Sequence, residues 1–279
     1  MTQLTSATSS KTEADVEAAG KAVPKSLVAR SVDYLQDQVD PKKCIWVSIY
    51  ACFLTGYTSA MSFSACFIWC GFQTGNVAQL GIAIARAFDP IGERTYGFEK
   101  PDQQAVCSLL SFLIGTTLGR IGDKIGAKRR TWLVLSSLLQ VLLAAAATIA
   151  HHYSGQSGYA GTRHNPSWTN PLGFVALAFI SASLGLQGII GKRIGSPMNT
   201  TVVLTTTWVE IFNDPLLLAM KKVQSRDVRV SGVLALLFGA FVSRAISGGG
   251  GVVAALGALC GFRLVQTLWW VLTPSPPEA

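Results

Sequence analysis

Residues 131–150 read TWLVLSSLLQVLLAAAATIA, an unbroken run without a charged side chain. As a helix it rises about 30 Å, the thickness of a bilayer's hydrocarbon core. A soluble helix of that length would need a continuous polar face, and here Ser136, Ser137 and Gln140 are the only strongly polar side chains in the middle of the run. Lys124, Lys128, Arg129 and Arg130 stand immediately before it. Together they predict a membrane span with a basic loop at its start.

Working outward, the same kind of run recurs at residues 44–69, 74–88, 105–122, 172–191, 200–219, 230–247 and 252–272. Only 14% of the chain is charged, against about 25% in a soluble domain. The chain therefore reads as a polytopic membrane protein, and soluble-enzyme, collagen-like and disulfide-scaffold classes are excluded. The net charge of +8 sits mostly in short loops flanked by apolar runs, so it reports topology and not nucleic-acid binding. The lipid bilayer is the expected partner, nucleic acid is not, and homo-oligomerisation is left open. Cys44, Cys52, Cys66, Cys70, Cys107 and Cys260 all lie in or beside apolar runs, where cysteine behaves as a small hydrophobe. No metal or cofactor is predicted.

Residues 1–43 form a polar tail without a signal-peptide core, and Glu13, Asp15 and Glu17 argue against a transit peptide. We expect it to be cytoplasmic and disordered, apart from an amphipathic helix between Ser26 and Val39, where Val28, Val32, Leu35 and Val39 recur at helical spacing. Residues 44–150 would form a first membrane repeat, 151–170 a polar external loop, 171–272 a second repeat and 273–279 a short tail. His151, His152 and His164 are expected to be solvated in that loop, and Asn199 opens a glycosylation sequon that a cytosolic position would leave unused.

The repeat is visible in two short, polar runs at equivalent places. Gly75, Asn76 and Gln79 interrupt the first, and Thr205, Thr206, Thr207, Glu210, Asn213, Asp214 and Pro215 the second. Setting Thr74-Gly75-Asn76 against Thr205-Thr206-Thr207 places Gln79 opposite Glu210, and the next helices match at Gly115 with Gly239 and Arg120 with Arg244. If all eight runs span, Arg120, Lys124, Lys128, Arg129, Arg130, Lys192 and Arg193 face outward; if the two polar runs re-enter, only Arg86, Arg94, Lys100 and Arg163 do. The positive-inside rule favours the second arrangement. The expected fold is thus an all-α helix bundle with six full spans, two interrupted or re-entrant helices, and two inverted repeats.

The stretches Gly56-Tyr57-Thr58-Ser59-Ala60-Met61-Ser62-Phe63, Thr74-Gly75-Asn76 and Leu184-Gly185-Leu186-Gln187 resemble the YoaK family, small integral membrane proteins of bacteria and fungi built on a domain of unknown function. The likeness runs from about residue 44 to 272. It implies about six transmembrane helices and no established activity. The chain departs from the family at Ser59 and Gly188, where Asp and Asn are common. The loop Gly119-Arg120-Ile121-Gly122-Asp123-Lys124-Ile125-Gly126 also looks like the cytoplasmic loop of major facilitator transporters, which implies a tight turn on the cytosolic side.

Helix breaks inside a membrane free backbone groups for solute, so Thr74, Gly75, Asn76, Gln79, Gln187, Thr205, Thr206 and Glu210 are the candidate substrate-binding residues. The same hydroxyls and amides could equally join helices to one another. Glu210 is further expected to pair with Arg244, and Arg120 is the equivalent cation of the first half. The function predicted is a small-solute transporter or channel. Competing readings are a membrane-embedded enzyme using Glu210 or Asp214 as an acid on a lipophilic substrate, or a structural membrane protein.

Overall fold

The computed structural model describes residues 27–162, 165–198, 200–219 and 221–277. The chain divides into two units, residues 1–35 and 36–279. The described part of the first is residues 27–35, all in helix α1 (Leu27–Gln36), which falls where the amphipathic helix was expected and exposes Val32 and Tyr34. The rest of the tail, His164 and Asn199 lie outside the described residues.

The second unit is built from α2 (Ile45–Cys66), α3 (Gln73–Ala85), α4 (Lys100–Thr117), α5 (Gly119–Ile125), α6 (Arg130–Ser154), α7 (Pro171–Ile194), α8 (Thr205–Phe212) and α9 (Gln224–Leu272). Their ends follow from local chemistry. Glu99 and Asp102 form a capping box at the start of α4, and Asn170 caps α7 by accepting from the Gly173 amide at 2.8 Å, with Pro171 in the first turn. Among the described residues, five helical stretches are long and apolar enough to cross a membrane: Pro41–Cys66, Lys100–Ile125, Arg130–Ser154, Pro171–Ile194 and Gln224–Leu272. The protein is an all-helical, multi-pass membrane protein. Most of α2 and α7 is buried, whereas α4, α6 and α9 turn Leu110, Ile114, Leu138, Leu142, Leu237 and Phe241 outward. Exposed apolar belts of that extent belong in lipid.

Helix α9 has 49 residues but is not a rod, because Gly251 leaves the helical region with φ 78° and ψ 170°. Only glycine takes that conformation without strain. The two limbs fold back on each other: the Phe53 ring lies 5.9 Å from Phe238 on the first limb and 5.4 Å from Phe262 on the second. The glycine run 248–251 stays helical up to Gly250 and breaks only at Gly251.

Two seams hold the bundle together at backbone distance. Between α2 and the first limb of α9, a Cβ on Gly56 would lie 1.9 Å from the Leu236 carbonyl oxygen, and one on Gly239 would lie 2.0 Å from that of Phe53. Between α7 and α4, a Cβ on Gly185 would lie 2.1 Å from the Phe112 oxygen, and one on Gly115 would lie 2.0 Å from that of Ala182. Small residues permit such contact in membranes, where dispersion and weak Cα–H···O contacts replace the hydrophobic effect as the force joining helices.

The chain turns around at two ends of the bundle. At one end the Val39 amide donates to the Lys128 carbonyl, the Asp40 amide to that of Pro274, and Arg193 pairs with Asp123 at 2.8 Å. At the other, the Ser167 amide donates to the Ala65 carbonyl and the Gln104 amide to the carbonyls of Ser167 and Trp168. Arg86, just after α3, pairs with Glu99 and Asp102 at the start of α4, so α3 returns to the end at which α2 finishes. At 13 residues α3 is about 20 Å long, too short to cross the hydrocarbon core.

The structure differs from four expectations. Gly75 and Asn76 do not break a helix but lie in the first turns of α3; the break is the segment 67–72 before them, opened by Phe67 in the left-handed region at φ 56°. Likewise Thr205, Thr206 and Thr207 begin α8, and the irregular backbone lies before it. His151 is not in the loop but in the last turn of α6, buried against the Trp168 ring at 5.1 Å, which leaves His152 exposed. The loop likened to major facilitator proteins is helical as α5 up to Ile125 and turns at Gly126, where φ is 117°.

Candidate functional site

Two irregular segments, 67–72 and 200–204, meet in the interior. A Cβ on Gly71 would lie 3.1 Å from Leu184, 3.2 Å from the Ser59 hydroxyl and 3.4 Å from Val202, and one on Gly188 would lie 3.5 Å from the same valine. Backbone groups released by a helix break must find partners in the protein. Asn76 is buried and donates to the Trp69 carbonyl at 3.3 Å; Gln73 donates to the Cys70 carbonyl at 2.8 Å; Thr55 donates to the Thr201 carbonyl at 2.7 Å. Ser108 then bridges α4 to α7 through Ser181 at 2.9 Å and receives Gln73 at 3.2 Å. Much of the polarity of the broken segments is spent in holding them.

The next layer of polar groups is different. Gln187 on α7 donates to the Ala51 carbonyl at 2.9 Å and to the Thr55 hydroxyl at 2.8 Å, and its oxygen accepts from Nη1 of Arg263 at 2.6 Å. The same Nη1 donates to Gln266 at 3.0 Å. Arg263 is fully buried near the middle of the second limb of α9. Its Nε and Nη2 have no hydrogen-bond partner among the described residues, and the same holds for the buried hydroxyls of Ser183 and Thr201. Gln187, Gln266 and Thr201, with Ser48 and Ala51, line a cavity of about 10 Å³, room for a single water-sized body. Among the described residues the one buried carboxylate is Asp102, which is committed to Arg86. Among the described residues, no buried carboxylate is left to pair with Arg263.

The predicted residues are distributed unevenly around this centre. Gln187 is in it, and Asn76 supports it. Thr74 and Gly75 are exposed and Gln79 is half-buried. Gly75 and Thr205 face one crevice of about 370 Å³ together with Trp69, Phe72 and Trp208. Thr206 faces another, also about 370 Å³, with Thr116, Gly188 and Lys192. The expected Glu210–Arg244 pair is not formed. Glu210 is exposed and meets Arg229 at 2.9 Å, whereas Arg244 donates to the Tyr159 hydroxyl at 2.7 Å and lies over its ring. Glu210 on α8 reaches the start of α9, and Arg244 lies fifteen positions beyond Arg229, over about 22 Å of helix. Arg120 is exposed, and Asp214 accepts from the Leu216 amide at 2.8 Å in a turn.

Arg263 was missed, although an arginine inside an apolar run is a legible signal. A bundle of apolar helices, five of them long enough to span among the described residues, around a buried polar centre defines a multi-pass membrane protein. Within that class, residues 47–269 match the family described as protein of unknown function DUF1275, and the chain belongs to it. No curated protein and no solved structure matches the chain.

Proposed function

We propose that the protein carries a small solute across the bilayer, with six spans arranged as two inverted repeats and α3 and α8 re-entering from opposite sides. The observation that carries this reading is the buried polar centre where two irregular segments meet, an arrangement suited to binding solute midway between the two faces. The equivalence of the halves is supported by the seams. Gly56 against Leu236 matches Gly185 against Phe112, and Gly239 against Phe53 matches Gly115 against Ala182, with one constant offset between α2 and α7 and another between α4 and α9, the latter the offset that sets Arg120 on Arg244. Gly71 and Val202, equivalent when Thr74 is set on Thr205, approach one another, as residues beside a two-fold axis do.

An enzyme would need an acid and a base converging in one cavity, and Glu210 and Asp214 are engaged at the periphery. The basic residues Lys128, Arg129 and Arg130, at the end that also carries Lys42 and Lys43, support a cytoplasmic position for that end in this reading. The test is a flux screen with purified protein in liposomes, offering neutral, cationic and anionic solutes of a few heavy atoms each. Saturable uptake above that of empty vesicles is expected for one class; uptake of none removes the carrier reading.

A further inference from the structure

The chemistry of the centre narrows the solute. Arg263 is a fully buried guanidinium, a group that keeps its charge at any accessible pH. Holding such a charge in a low-dielectric interior is costly unless an anion or a full set of acceptors faces it. Nη1 has both of its hydrogens engaged, one by Gln187 from α7 and one by Gln266 from its own helix. These two bonds fix the guanidinium plane from two elements and leave Nε and Nη2 without partners. Nε–H and the adjacent Nη2–H run parallel and form the side-on fork that matches the two oxygens of a carboxylate or similar oxyanion. The glutamines present their carbonyl oxygens to the cation, so they orient it without neutralising it.

We propose that the unpaired Nε/Nη2 edge of Arg263 is the recognition element for a small monovalent oxyanion of the carboxylate type. The proposal rests on the carrier reading for its place in a transport cycle, and on the buried fork alone for binding. Gln187 and Gln266, which hold Arg263, also line the cavity of about 10 Å³, room for one water-sized body, so a carboxylate must widen it to bind and the smallest, formate, is favoured. Gln187 and Gln266 are positioning residues that act through Arg263.

The experiment uses the purified full chain with sodium formate and sodium acetate as probes and sodium chloride, at matched ionic strength, as the spherical-anion control. Thermal unfolding and calorimetric titration read binding, and vesicle uptake of the same probes reads transport. The expected result is saturable stabilisation by formate or acetate but not chloride. It should weaken about tenfold in Arg263→Lys, which keeps the charge but loses the fork, and vanish in Arg263→Gln. Gln187→Leu should weaken binding in the same direction. Stabilisation that is equal in Arg263→Gln, or equal with chloride, overturns the proposal. Should Arg263→Gln not fold, the wild-type titration against chloride and the Arg263→Lys variant decide. Uptake of a neutral solute with no binding of either probe overturns the oxyanion site and leaves the carrier reading standing. Binding that depends on the fork, with no solute crossing the vesicle, supports the site and removes the carrier reading.

Discussion

The backbone-distance seams give a quantitative test of the packing. In Gly115→Ala the new methyl would start 2.0 Å from the Ala182 carbonyl oxygen, where real contacts are almost never below 3.0 Å, so α4 and α7 must separate by at least about 1 Å. The obstacle is backbone on both sides and cannot swing away. Overpacking of this kind costs roughly 1 to 3 kcal/mol, which for a chain of this size lowers the unfolding midpoint by roughly 2 to 12 °C. Gly56→Ala, Gly185→Ala and Gly239→Ala face the same obstacle at 1.9, 2.1 and 2.0 Å and should behave alike. Gly257→Ala is the control, since nothing lies within 4 Å of its Cβ position; better helix propensity should leave it neutral or about 0.5 to 1 kcal/mol more stable. Pairs of substitutions add a finer check. Gly56→Ala with Gly239→Ala opens one seam, and a single displacement relieves both, so the double variant should cost less than the two costs together. Gly56→Ala with Gly185→Ala opens two seams and should be close to additive. The assay is unfolding followed by tryptophan fluorescence in one detergent. A Gly115→Ala protein as stable as Gly257→Ala would refute the close approach of α4 and α7, and with it the structural match between the halves.

Other substitutions separate support from surface. Asn76→Ala removes the buried amide that holds the Trp69 carbonyl and should cost about 1 to 3 kcal/mol, read as a lower unfolding midpoint; an unchanged midpoint would show that water replaces it. Glu210→Gln breaks an exposed pair with Arg229 and should cost less than about 1 kcal/mol, so a collapse in expression would contradict its peripheral position. Single-cysteine labelling in a cysteine-free background should find residue 128 accessible from the cytoplasm and residue 157 from outside, and the reverse pattern would invert the proposed topology.

The membrane class was legible because span length and charge deficit are one-dimensional properties: an uncharged run of twenty residues has few other uses. The short polar runs were legible for the same reason, but the position of the breaks was not. Gly75 and Asn76 look like helix breakers, yet a helix start tolerates both, and the turn was instead made by Phe67, which no propensity assigns to the left-handed region. The Glu210–Arg244 pairing assumed that neighbours in sequence order face each other. Fifteen positions of helix carry Arg244 too far from Arg229, the partner Glu210 takes. His151 was read with the loop residues after it, although α6 runs on to Ser154 before Gly155 ends it at φ 62°. Within the site, Gln187 could be picked out from sequence but its partners could not, because Thr55, Gln187 and Arg263 come from three helices more than seventy residues apart.

The division of labour among polar residues explains why Arg263 stands out. Asn76, Gln73 and Thr55 each spend a donor on a carbonyl left open by an irregular segment, so their chemistry is committed before any solute arrives. Gln187 spends both donors on α2 and its acceptor on the guanidinium. What the fold leaves unspent at this centre is therefore not the hydroxyl of Thr74, Thr205 or Thr206, residues that are exposed, but one edge of a cation that no buried carboxylate answers among the described residues. Buried hydroxyls can turn toward one another or hold water at little cost, and so Ser183 and Thr201 discriminate poorly between solutes. A fixed fork of positive charge does discriminate. It favours an anion with two oxygens over a neutral molecule of the same size, because only the anion replaces what the guanidinium lost on leaving water.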